Sequence, residues 1–241
     1  MEKLEQELIS LPKERIFEEF KKALEANKPS IFFEVLRKAN ILQVHFKEIY
    51  ELIGSLQPNQ YHPEGDSYNH TMIVVDKAVE LTQEVGIRFA CLVHDLGKSV
   101  TPKEMYPHHY GHDEKGVELV GNLSNRIGLP NLWKAYGKVS AKEHMKGGIF
   151  YRMSPSKQVQ FIERVAKTKL GLEGLQIVVI ADKCSTRNTN LEEISFANIG
   201  KQCLNEINGQ LIKEKFPSLE GEKFKEQLHN ERVSWIKKNM S

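Results

Sequence analysis

Two adjacent residues, His94 and Asp95, follow the apolar run Phe89-Ala90-Cys91-Leu92-Val93 and precede Leu96-Gly97-Lys98. An imidazole beside a carboxylate suits a divalent ion such as Mn, Fe, Ni, Co, Zn or Mg. Neighbouring positions on a helix point about 100° apart, so both reach one ion only where the helix faces a cleft. Such a site wants further donors from other helices. His70, 24 residues upstream, and Asp182, after the run Gln176-Ile177-Val178-Val179-Ile180, are the best candidates. An ion left with an open position would lower the pKa of water there and yield hydroxide near neutral pH. The chemistry this set points to is metal-assisted hydrolysis.

Helices must position these groups. Helical spacing of apolar residues predicts segments over 12–26, from Ser30 onward, and over 45–54. Residues 57–68, rich in Pro, Gly, Asn and Asp, read as a loop. Helical patterns resume at 69–84, 87–97, 112–127, 131–145, 156–169 and 172–187, with loops at 98–111 and 146–155. Two further amphipathic helices, 192–215 and 221–239, are separated by Pro217. The β-branched run 176–180 is the one segment that periodicity leaves open between helix and strand. The expected fold is all-α. Its expected division is a helical extension over 1–40, a core over 41–190 and C-terminal helices over 191–241 packed on that core.

Composition narrows the classes. The chain has 241 residues, 40% hydrophobic and 27% charged, which excludes a disordered chain. No apolar run approaches the roughly 18 residues of a membrane span, and the charged, amphipathic start is unlike a signal peptide. The three scattered cysteines, Cys91, Cys184 and Cys203, indicate neither a disulfide partner nor a Cys-rich zinc site. A cytoplasmic location is the natural expectation. A net charge of +2 supplies no global field toward nucleic acid, and residues 201–241 carry eight basic residues against six acidic ones. The glycines form no phosphate-cradling or dinucleotide loop, and a nucleophile elbow is missing.

The set His70, His94-Asp95 and Asp182 resembles the motif of the HD superfamily of metal-dependent phosphohydrolases. More narrowly, Tyr61-His62-Pro63-Glu64-Gly65-Asp66, His70-Thr71-Met72, Arg88 through Lys98 and Gly111-His112-Asp113 look like the C-terminal HD domain of bacterial multifunctional CCA-adding tRNA nucleotidyltransferases. Leu11-Pro12-Lys13-Glu14-Arg15 and Phe32-Phe33-Glu34-Val35-Leu36-Arg37 resemble the neck and body that precede it there. The Gly-Gly-x-x-Arg-Asp and Asp-x-Asp signatures of the nucleotide-adding head are not found, so nucleotidyl transfer is not expected.

The resemblance implies an HD-domain helical bundle with an N-terminal extension. It also implies a nucleotide-binding hydrolase of phosphoesters on nucleotides or RNA ends: 2′,3′-cyclic phosphodiesters, 2′-phosphates or nucleoside monophosphates. His70, His94, Asp95 and Asp182 would hold one divalent ion. His112 and His144 either complete a second site bridged by Asp95 or bind substrate phosphate, and a neutral His144 could accept a proton. Lys98 would neutralise a bound phosphate as a point charge. Arg187, at unusual spacing after Asp182, is the candidate phosphate clamp, with Lys183 as its alternate. His108 and His109 fall on a mobile-looking loop where surface and substrate contacts are both open. His45, His62 and His229 read as non-ligands, His62 lining the cleft mouth. Rival readings are a non-catalytic HD-fold module contacting tRNA or nucleotide, and a signalling-nucleotide hydrolase. The absence of a Gly-Tyr-Pro triplet weighs against a cyclic dinucleotide substrate.

Overall fold

In the computed structural model, which describes residues 10–60, 62–184 and 190–240, one helix is buried on every side and apolar but for one arginine. This is Val85–Val93, and residues Gly86 through Val93 along it are buried. A helix hydrophobic all round must lie inside, with partners on each face. Before it come α1 (Lys13–Glu25), α2 (Ser30–Lys38), the single turns α3 (Leu42–His45) and α4 (Lys47–Tyr50), and α5 (Ser67–Leu81). The central helix is therefore α6. After it follow α7 (His112–Ile127), α8 (Asn131–Gly148), α9 (Pro155–Ala166), α10 (Gly171–Cys184), α11 (Ala197–Glu206), α12 (Gly209–Lys215) and α13 (Gly221–Asn239). Short 3₁₀ turns lie at Leu96–Val100, Lys103–Met105, Phe150–Arg152 and Leu191–Ile194. The fold is all-α, and among the described residues the sole β feature is an isolated bridge between Leu56 and Asp66.

The two sides of α6 feed two cores. Phe89, Leu92 and Val93 join Phe20, Leu24, Phe33, Phe46 and Leu123 on one side. Ala90 and Cys91 join Phe150, Phe161, Val178, Val179 and Phe196 on the other. The N-terminal extension thus folds back onto the core. The Phe20 and Phe89 rings meet edge to face at 6.1 Å, as do Phe17 and Trp133 at 5.5 Å. Arg88, buried in α6, donates to the carbonyl of Leu24 at 2.8 Å and so satisfies an acceptor in the last turn of α1. Ser30 Oγ donates to Asp76 on α5 at 2.6 Å, tying α2 down.

Three local expectations need correction. The segment 45–54 is helical only over the single turn Lys47–Tyr50, separated from Leu42–His45 by Phe46, which leaves helical geometry (φ −125°, ψ 49°) and buries its ring 5.3 Å from that of Phe20. The segment 192–215 is broken as well. Asn208 accepts from the backbone N–H groups of Gln210 and Leu211 and so starts a new helix, the position asparagine favours most. The loop 98–111 is pinned rather than mobile-looking: buried His109 bonds Thr101 Oγ1 and the Leu56 carbonyl, both at 2.9 Å. The β-branched run 176–180 lies within α10, where burial decides what periodicity left open. Among the described residues, no helix is long and apolar enough to cross a membrane, and no disulfide joins the three cysteines.

Candidate metal centre

The site gathers where α6 stops. Val93 is the last helical residue, His94 caps it, and Asp95 turns out of the helix at φ −107°, ψ 11°. The pair is therefore not two successive helical positions 100° apart, since the break turns Asp95 out of the spiral. His70 arrives from the first turn of α5, which begins where it does because Asp66 accepts from the Asn69 N–H at 2.8 Å. Asp182 comes from the last turns of α10, His112 opens α7, and His144 lies on α8.

His70, His94 and Asp95 offer ligand atoms that all lie within 4.8 Å of one another. Asp182 meets one member of this set, its Oδ1 being 3.1 Å from His70 Nε2, and lies outside the mutual 4.8 Å group. Asp95, His112 and His144 form a second such set, sharing Asp95 with the first. All six side chains are buried.

The hydrogen bonds of the rings define which atoms face inward. His94 Nδ1 lies 2.7 Å from the Cys91 carbonyl, and His112 Nδ1 lies 2.7 Å from the His109 carbonyl. His144 Nδ1 lies 3.0 Å from the Ser140 carbonyl. A carbonyl only accepts, so each of these nitrogens carries the proton, and in the neutral ring Nε2 keeps a lone pair. Those three Nε2 atoms and Asp95 Oδ1 are buried and have no hydrogen-bond partner among the described residues. Converging lone pairs in a dry site repel unless a cation lies between them. The residues present fit a divalent ion.

Charge around the centre is consistent with that reading. Burial opposes ionisation of Asp95, but Lys98, His94 and His144 outweigh it and hold the carboxyl well below its usual range. Burial likewise opposes ionisation of Asp182, and Lys183 with the nearby histidines pulls it well below. Burial lowers His112, keeping its ring neutral and able to ligate. For His70, burial is outweighed by Asp182 and Glu64, which push it up to about 9 in the metal-free protein.

Two outer residues escaped the sequence reading. Glu64 Oε1 accepts from His70 Nδ1 at 2.7 Å and from His62 Nδ1 at 2.9 Å. Gln57 Oε1 accepts from Lys98 Nζ at 2.5 Å. Both belong to the loop before α5, and residue type alone distinguished neither from ordinary loop polarity. The ring of His62 packs 4.7 Å from that of His70, so it stands beside the centre. Lys98 Nζ lies 2.6 Å from Asp95 Oδ2, and Lys183 Nζ lies 3.0 Å from Asp182 Oδ2. Arg187 lies outside the described residues. His108 is exposed, and His45 and His229 are not among the groups of potential metal ligands.

A helical fold closing on buried histidines and aspartates around an α6 terminus defines a class: an all-α protein with a candidate metal centre. Residues 67–187 match the HD domain family, which covers half of the chain, and the chain belongs to that family of metal-dependent phosphohydrolases. Residues 1–52 match a family described as the probable RNA and SrmB-binding site of polymerase A. Among curated proteins, the chain is 37% identical over 183 residues to a multifunctional CCA protein of Mannheimia succiniciproducens, covering 73% of this chain and 44% of that protein. It is 43% identical over 138 residues to a multifunctional CCA protein of Psychromonas ingrahamii, covering 57% of this chain and 34% of that protein. The chain therefore spans less than half the length of these relatives.

Proposed function

We propose that this chain hydrolyses phosphoesters of nucleotides or RNA ends, namely 2′,3′-cyclic phosphodiesters, 2′-phosphates or nucleoside monophosphates, with a divalent metal. The observation that carries the reading is the approach of His112 and His144 Nε2 to Asp95 Oδ1, with His94 Nε2 beside Asp95 Oδ2, in a buried site where these ring nitrogens have no hydrogen-bond partner among the described residues. His70, His94, Asp95 and Asp182 would hold one ion, and Asp95, His112 and His144 a second. When bound, such an ion supplies Lewis-acid charge to phosphoryl oxygens and lowers the pKa of water at its open position.

The chain's own groups do the rest. Lys98, fixed against Asp95, adds positive charge where the pentavalent transition state gathers negative charge. Glu64 holds the His70 ring by its far nitrogen, fixing its orientation. The backbone carbonyls of Cys91, His109 and Ser140 keep the other rings in the tautomer that presents Nε2. Asp182 and Asp95 remain charged, which favours cation binding across the neutral pH range.

RNA contact through the N-terminal segment is part of this reading, supported by the match of residues 1–52 to an RNA-binding family and by the two CCA-protein relatives. The test is a panel of 2′,3′-cyclic nucleotides, nucleoside monophosphates and RNA ending in a 2′-phosphate, each with and without chelator. Turnover of at least one, lost on chelation and in Asp95→Ala, is the expected result. RNA binding without any turnover would favour a non-catalytic module.

A further inference from the structure

We propose that the side-chain amide nitrogen of Gln57 donates a hydrogen bond to an anionic phosphoryl oxygen of the substrate, beside the candidate metal centre. This rests on the phosphohydrolase reading above. Gln57 is 4% exposed, and its Oε1 accepts from Lys98 Nζ at 2.5 Å. An ammonium group has only donors, so the oxygen must face Lys98 and the NH2 must face away from it. That Nε2 is buried and has no hydrogen-bond partner among the described residues. Proteins seldom bury an amide donor without an acceptor to receive it.

The position is also fixed. The Gln57 backbone N–H donates to the Gly65 carbonyl at 3.1 Å, and the adjacent Leu56 bridges Asp66. The residue therefore does not swing freely with its loop. Lys98 in turn lies 2.6 Å from Asp95 Oδ2. Of its three N–H donors, Gln57 and Asp95 take two, so Lys98 links the Gln57 amide to the candidate centre. A buried amide donor one residue removed from Asp95, at a centre suited to a cation, calls for a group that only accepts and carries negative charge. A phosphoryl group meets both conditions.

Gln57→Glu isolates the claim, because it keeps an oxygen for Lys98 and exchanges the NH2 for an oxygen that repels anions. With manganese-loaded protein, titration of inorganic phosphate by calorimetry should show at least tenfold weaker binding in Gln57→Glu. Manganese content and unfolding temperature should match wild type. Gln57→Met, an uncharged near-isostere, should show the same loss. It separates the missing donor from the added charge; because it also removes the oxygen that Lys98 meets, the two variants share only the lost amide donor, and a loss in both assigns the effect to that donor. Wild-type phosphate affinity in a folded Gln57→Met would overturn the proposal, since a residue that merely props Lys98 need not touch phosphate. Wild-type protein that keeps its manganese but binds no phosphate would overturn the phosphohydrolase reading, and this inference with it.

Discussion

His144 Nε2 lies 3.3 Å from Asp95 Oδ1, and His112 Nε2 approaches the same oxygen to 3.4 Å from the other helix. Asp95 Oδ2 meanwhile faces His94 Nε2 at 3.2 Å. One carboxylate thus faces both candidate ion positions, which is what a bridging ligand does. His144→Ala should lower the metal content of the loaded protein from two ions per chain to one. Elemental analysis after gel filtration checks this, and an unchanged ratio would remove His144 from the second site.

Glu64 should act on the metal through His70. Carboxylates that orient a metal-bound imidazole contribute roughly 10–100-fold in affinity. Glu64→Ala should therefore weaken metal binding by about that factor, with Glu64→Gln in between, because an amide oxygen still accepts from His70 Nδ1. Competition with a fluorescent chelator measures it, and equal affinities in all three proteins would contradict the assignment.

The metal-free protein should carry a pH signature at His70, whose pKa rises to about 9 because Asp182 and Glu64 outweigh its burial. A pKa raised on folding stabilises fully below the unfolded value of about 6.5, and that contribution is lost as pH rises through about 9. Thermal unfolding of metal-free wild type should fall more steeply between those limits than that of His70→Gln. Metal competes with the same proton, so metal affinity should climb across the same window. Parallel unfolding curves for the two proteins would contradict this.

Gly97 couples the turn after Asp95 to the first turn of α7. A Cβ there would sit 1.8 Å from the His112 carbonyl oxygen and 2.7 Å from the Gly116 nitrogen, both rigid backbone. Gly97→Ala should cost about 3 kcal/mol, as overpacking against backbone does. It should also disturb His112. Urea denaturation gives the first effect and metal stoichiometry the second.

Much of this was legible in the chain. His70, His94, Asp95 and Asp182 stand out because a charged or imidazole group beside a wholly apolar run needs a reason to be there. Large aromatics at helical spacing seek burial, and of Phe17, Phe20, Phe32 and Phe33 in the extension two are fully buried and two partly buried. Residues acting through long-range contacts were not. Gln57 meets Lys98 across 41 residues, and Asn208 breaks a helix that apolar periodicity alone would continue. Phe46 shows the same limit, because its departure from helical geometry is dictated by a ring 26 positions away in sequence.

The central claim is that His70, His94, Asp95 and Asp182 hold a divalent ion. Anomalous X-ray diffraction from crystals of the manganese-loaded protein tests it most directly. The expected result is an anomalous peak bounded by His70 Nε2, His94 Nε2, Asp95 and Asp182, and a second peak against His112 and His144. No peak at those four side chains, or one confined to His62 and Glu64 on the preceding loop, would contradict it.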